Sequence, residues 1–170
     1  MTGELGYITF ETGIGWVGVL ASPKGLLGTT LPQDSELEAR QLLGSRINEA
    51  TDSPDAFTDL IEQFKAYFNG MKVNFPDELD LSDATPFQRK VWPATRLIPY
   101  GETRSYLQVA RQIGKPGAAQ AVGQAMGKNP LPIIVPCHRV VASGGGLGGF
   151  GGGLEMKRYL LRLESRADIR

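Results

Sequence analysis

Asn129-Pro130-Leu131-Pro132-Ile133-Ile134-Val135-Pro136-Cys137-His138-Arg139-Val140-Val141 is a proline-stiffened apolar run that sets the only cysteine and the only histidine of the chain side by side. A lone cysteine is more often a small buried hydrophobe than a reactive group. The adjacent imidazole shifts that balance, because the thiolate is the nucleophile and an imidazole lowers the thiol's pKa or takes its proton, directly or through a water. Read as an extended segment, the run points successive side chains apart, which favours the bridging water. One cysteine and one histidine do not make a structural zinc site of the usual kind, so neither metal nor cofactor is expected. An internal disulfide is impossible, which fits a reducing compartment.

Upstream, Thr85-Pro86-Phe87-Gln88 joins an N-cap, a proline in the first helical position and a capping-box glutamine, which predicts a helix from Pro86. Pro93 should kink that helix or end it early, although Val91, Trp92, Leu97 and Ile98 read as buried. Pro99-Tyr100-Gly101 turns the chain, and Ser105-Tyr106-Leu107-Gln108 repeats the capping box before a short helix ending at Gly114. Lys115-Pro116 opens the next helix, Pro116 to about Lys128. There Gly117, Ala118, Ala119, Ala121, Gly123, Ala125 and Gly127 leave almost no bulk. Two short helices around a glycine-containing turn form a helix-turn-helix, and so bare a second helix can lie deep in a nucleic-acid groove. By spacing alone, close helix–helix packing explains the small residues at least as well.

Nearer the N-terminus, Tyr7 to Phe10, Gly15 to Ala21 and Gly25 to Thr30 alternate apolar with small or polar residues around the turn Ser22-Pro23-Lys24-Gly25, which predicts a small antiparallel sheet. Asp34-Ser35-Glu36 starts a helix with Leu37, Leu42 and Ile47 on one face. Ser53-Pro54 caps another whose Phe57, Leu60, Ile61, Phe64 and Phe68 are core. Gly70 to Asp83 reads as a connector with one short strand. The boundary is placed there, giving an N-terminal α/β domain at 1–83 and a C-terminal domain at 84–170 in an α+β chain.

The 170 residues are 41% hydrophobic and 21% charged, within the globular norm. Eighteen Lys and Arg balance eighteen Asp and Glu, so a nucleic-acid partner needs a local basic patch. Acids dominate from Ser35 to Asp83 and bases from Arg89 to Arg170, which places that patch in the second half. No apolar run approaches the ~20 residues of a membrane span, and Met1-Thr2-Gly3-Glu4 lacks the flank of a signal peptide. A cytoplasmic protein without a membrane partner is expected.

From Phe87 to Glu164 the chain resembles the O6-alkylguanine-DNA alkyltransferase family, whose signature Pro-Cys-His-Arg-Val stands at Pro136 to Val140. Tyr100-Gly101-Glu102, Ser105-Tyr106, Ala118-Ala119, Ala121-Val122-Gly123, Asn129-Pro130 and the glycine-rich stretch to Leu154 and Lys157 extend the likeness. The first eighty residues agree in element order and carry no diagnostic motif. The resemblance implies a ribonuclease-H-like N-terminal part with a small antiparallel sheet, and a mainly helical, winged-helix-like C-terminal part that binds DNA. It implies a single-turnover transfer of the alkyl group from O6-alkylguanine, and from O4-alkylthymine, to Cys137 in double-stranded DNA bound through the minor groove by a monomer.

In that reading His138 is the base, Glu164 holds the imidazole, Asn129 fixes the turn that presents the cysteine, and Tyr106 donates a hydrogen bond to the departing guanine. On its own Glu164 would be taken for a surface helix residue, and Tyr106 for half-buried packing. Ser105, Ala119, Gly123 and Lys157 join the substrate- and DNA-binding set by the same resemblance. Gln120 stands where the family carries an arginine that fills the space of the flipped nucleotide; it keeps the reach and loses the charge.

The stretch Ala142 to Gly153, a flexible linker by composition, lacks the lysine and hydroxyl of a phosphate-binding loop. The resemblance makes it the pocket wall, where Gly148 and the pair Phe150 and Gly151, in place of the common tyrosine and serine, leave guanine to backbone groups of Val140 and the loop. Two other classes stay open. A lesion sensor that flips the base without repairing it would usually replace the cysteine with tryptophan. A cysteine hydrolase would need an oxyanion hole and turnover.

Overall fold

The turn at Ser22-Pro23-Lys24-Gly25 closes a hairpin, with Gly25 at φ 151°, where a Cβ would run into the Glu78 backbone. The computed structural model describes residues 4–144, 146–150 and 152–169, with side chains through 165. Its contacts divide into two compact units, Met1–Ser82 and Asp83–Arg170.

In the first unit, β1 (Leu5–Thr12), β2 (Gly15–Ser22) and β3 (Gly25–Thr29) form the expected antiparallel meander. A fourth strand, β4 (Ala50–Asp52), pairs parallel to β1 and makes the sheet mixed, in the order β3-β2-β1-β4. Three residues are too few to show a period of two, so sequence patterning does not announce this strand. Helix α1 (Glu36–Leu42) is capped by Ser35 but buries only Ala39, while Leu37 and Leu42 are 62% and 61% exposed, contrary to the expected apolar face. The cause is Gly18 on β2: a Cβ there would stand 2.9 Å from Leu43 Cδ1 and 3.2 Å from the Ala39 carbonyl, so the helix seats on a bare spot of the sheet. Ile47 falls in a separate 3-10 turn.

Helix α2 (Thr58–Phe68) supplies the core, with Leu60, Phe64, Tyr67 and Phe68 buried and Phe64 against Phe10 and Phe75 at ring centroids of 5.8 and 5.0 Å. The connector has no named strand; Leu79 makes a single bridge to Leu26.

The second unit opens with α3 (Pro86–Arg96), whose Thr85–Gln88 capping box forms as predicted. Pro93 does not end it. One missing helical bond and a ring clash cost about 3 kcal/mol, which the burial of Val91 and Trp92, at roughly 2 kcal/mol each, offsets. Strand β5 (Arg104–Ser105) leads into α4 (Tyr106–Gln112), where Ser105 and Gln108 form the second capping box. Helix α5 (Ala119–Gly127) begins three residues later than expected. Lys115-Pro116-Gly117-Ala118 is a β-turn, with Ala118 N–H donating to the Lys115 carbonyl at 2.9 Å; proline then glycine at its two central positions is turn chemistry, which wins over helix initiation. Helices α4 and α5 form the anticipated helix-turn-helix. Strand β6 (Val140–Val141) pairs with β5, and α6 (Leu154–Ile169) closes the unit. No helix among the described residues is long and apolar enough to cross a membrane.

Candidate active site

Between Asn129 and Val141 the chain does not run extended, as the sequence reading held. It is a series of turns: Val135 N–H donates to the Leu131 carbonyl at 2.8 Å, Cys137 N–H to Val135 at 2.7 Å and Arg139 N–H to Pro136 at 2.9 Å. Prolines at 130, 132 and 136 cannot donate in a strand ladder, which disfavours the straight course. Asn129 closes the turns, its side chain accepting from Leu131 N–H at 2.9 Å and donating to the Val135 carbonyl at 2.9 Å. Inside this clamp Ile133 holds φ at 75°, a conformation costly to a β-branched residue, with its side chain buried. Cys137, His138 and Arg139 then form one 3-10 turn.

Cys137 is 6% exposed. Burial pushes its thiol up; hydrogen bonds from Asn129 and the local backbone and the charge of Lys157 pull the other way without cancelling it. The thiol lines a cavity of about 420 Å³ together with Tyr106 from α4, Ala119, Gln120, Gly123 and Gln124 from α5, and Phe150 from the glycine-rich loop. That size lies within the roughly 300–1,000 Å³ of small-molecule pockets.

Behind Cys137, His138 is fully buried, with Nε2 2.5 Å from Glu164 Oε2. Burial lowers the imidazole's pKa more than Glu164 raises it, and the charges of Arg139 and Lys157 push the same way as burial. Burial alone would raise the Glu164 carboxyl, but hydrogen bonds and charge from His138 and Arg139 outweigh it and pull the group down to about 2. The arrangement is a thiol, a neutral imidazole and an ionised carboxylate at the edge of an open, mostly apolar pocket, a set suited to nucleophilic substitution.

A methylated-DNA--protein-cysteine methyltransferase of Mycolicibacterium paratuberculosis is 56% identical over 116 residues, 68% of this chain and 70% of that protein. One of Methanosarcina acetivorans is 38% identical over 162 residues, 93% of this chain and 97% of its own length. The chain belongs to the methylated-DNA--protein-cysteine methyltransferase family. Residues 86–166 match the family's domain described as 6-O-methylguanine DNA methyltransferase, DNA binding domain. A structure of Mycobacterium tuberculosis OGT in complex with DNA shares this fold at a TM-score of 0.80 and 44% identity, over 95% of this chain and 93% of that one.

In this family member Cys137, Tyr106, Ala119, Gln120, Gly123 and Phe150 meet around one cavity. Ser105 serves as N-cap of α4 and, through Val141, ties that helix to the strand after the reactive turn. Gly148 packs against Tyr106, and Gly151 lies outside the described residues. Glu164, which would be taken for a surface residue on its own, is 1% exposed and sits on the imidazole that the resemblance gives it to hold. Other expectations change. Lys157, expected among the DNA- and substrate-binding residues, is fully buried, its Nζ donating to the carbonyls of Val140 at 2.7 Å, Leu147 at 2.5 Å and Gly149 at 3.1 Å. It therefore fixes the glycine-rich loop, and the carbonyl of Val140, whose backbone groups were expected to serve guanine, accepts from it.

Sequence reasoning missed Arg139, whose Nε and Nη2 lie 2.8 and 3.2 Å from Glu164, and Gln124, which lines the cavity one turn beyond Gln120. The i, i+4 spacing of two glutamines on a bare helix was the available sign for the second. A charged residue inside an apolar run was the sign for the first.

Proposed function

We propose that this protein repairs O6-alkylguanine in DNA by moving the alkyl group onto Cys137, once per molecule. One observation carries the reading: the single cysteine lines the cavity that α4 and α5 of the helix-turn-helix share, with the His138–Glu164 pair directly behind it. The small residues of α5 let that helix lie against the minor groove. The damaged nucleotide leaves the stack, at a cost of a few kcal/mol that pocket contacts recover, and Gln120, exposed at the cavity rim, reaches into the space left behind.

In the pocket, Cys137 Sγ forms a bond to the alkyl carbon as the bond from that carbon to O6 breaks, and the electron pair stays on the guanine. The thiol proton passes to His138, directly or through a water, and Glu164 stabilises the imidazolium that results. Tyr106 donates a hydrogen bond to the guanine anion, which takes its proton from solvent; burial first, and the charge at Cys137, hold the phenol's pKa above its usual value, so it stays protonated and able to donate. The thioether is stable, so no second turnover follows. The same displacement serves O4-alkylthymine.

Intact-mass measurement with peptide mapping, after incubation with duplex DNA holding one O6-methylguanine, tests the reading. One added methyl on Cys137 per repaired base supports it. An unmodified protein that binds the damaged duplex would replace repair with sensing.

A further inference from the structure

Two side chains that bind the Glu164 carboxylate, Arg139 and His138, differ in one respect: a guanidinium keeps its proton in proteins, whereas an imidazole gains or loses one near neutrality. Arg139 reaches the carboxylate with Nε at 2.8 Å and Nη2 at 3.2 Å, while its Nη1 donates to the Ile98 carbonyl at 2.8 Å and its guanidinium lies 5.6 Å from the Tyr100 ring centroid. Gly101 N–H adds a bond to Oε1 at 3.3 Å. His138, Arg139 and Glu164 are 0%, 7% and 1% exposed. Glu164 and Arg139 already cancel as −1 and +1 within this volume, so a proton on His138 would put an uncompensated charge in the interior, which is strongly disfavoured.

We propose that Arg139 is a positioning residue that, by holding the charge of Glu164, keeps His138 at rest as the neutral base. Without the guanidinium the charge of the buried carboxylate draws a proton onto His138, and the imidazole rests protonated, unable to take the proton of Cys137. Among the described residues, Lys157 on α6 and Cys137 in its own turn are further titratable groups near His138. Lys157 also opposes the imidazolium, but its Nζ serves three main-chain carbonyls rather than Glu164 and does not replace Arg139. The inference rests on the proposed role of His138 as base, and its first readout does not require alkyl transfer.

The chain has one histidine, so histidine-selective 15N labelling gives the signals of this imidazole alone. In the unmodified sequence the ring should be neutral at pH 7; a resting imidazolium there overturns the proposal whatever any variant does. In Arg139→Met the ring should be protonated at pH 7, and in Arg139→Lys, which restores a cation, neutral. A folded Arg139→Met with a neutral ring would reduce Arg139 to a structural role and also overturn it. In single-turnover transfer to the protein, Arg139→Met should lose on the order of 100-fold at pH 7 and recover part of the loss as pH rises. A loss equal at every pH argues against the proposal. Transfer that fails in all three proteins while the imidazole behaves as described would instead remove the repair reading and leave the charge arrangement standing.

Discussion

Gly148 lies against Tyr106 so tightly that a Cβ on the glycine would overlap the phenol hydroxyl, and its φ of 73° is one that L side chains seldom adopt. Gly148→Ala should therefore displace either the loop or the tyrosine. The expected result is a stability loss of about 1 kcal/mol from the backbone alone and single-turnover transfer slowed by 10- to 100-fold, as misplacement of a reacting group by about 1 Å produces. Gly146→Ala is the control: the nearest atom to its Cβ direction is Ala142 Cβ at 3.7 Å, an ordinary contact, and its rate should stay near that of the parent.

Acid should destabilise the fold in two stages. His138 has a folded-state pKa below the ordinary 6.5, so as pH drops past 6.5 the unfolded chain takes a proton that the folded chain refuses, and stability falls. Glu164, held at about 2 against an ordinary 4.5, contributes stability that is present above 4.5 and lost as pH falls from there toward 2. Melting temperatures measured from pH 8 to pH 3 should decline from about the histidine's ordinary value downward. A flat profile across pH 7 to 4 would contradict the burial of the neutral imidazole.

Generic thiol reagents should find Cys137 sluggish. Its thiol lies above the ordinary 9.0 because burial outweighs the Asn129 hydrogen bond and the Lys157 charge, so little thiolate exists at neutral pH. Iodoacetamide labelling of the native protein should rise with pH without levelling below pH 9 and should be far faster after denaturation. A plateau near pH 6 would show a thiolate at rest.

Charge at the cavity rim sets the salt response. Gln120 carries none, and Gln120→Arg should bind duplex DNA more tightly, with the slope of log K against log salt steeper by about one. Affinity and slope that do not change would remove Gln120 from the DNA contact.

Local chemistry was readable wherever the determinants are neighbours in sequence. Both capping boxes, Thr85 with Gln88 and Ser105 with Gln108, stand as the residues require, because a side chain and a backbone N–H three residues apart need nothing else. The adjacency of Cys137 and His138 was equally plain. The helix start at Ala119 was misjudged because Pro116 suits a first helical turn and a β-turn alike, and Gly117 decides for the latter. The side chains that bind Glu164, Arg139 and His138, lie 25 and 26 residues away, and Lys157 donates to main-chain carbonyls of β6 and the glycine-rich loop. Neither leaves a periodic mark, so both long polar side chains read as solvent-facing until the chain is folded. Pro93 shows the opposite limit, a local rule overruled by packing.

The indole of Trp92 donates to the carbonyl of Ala125 at 3.0 Å, fastening α3 to the last turn of α5. Only one other tryptophan exists, Trp16, and it belongs to the first unit. A Trp16→Phe chain would therefore emit from a single fluorophore attached to the helix assigned to the groove. Such a chain reports on its own docking, without a dye, through the colour and intensity of its own light.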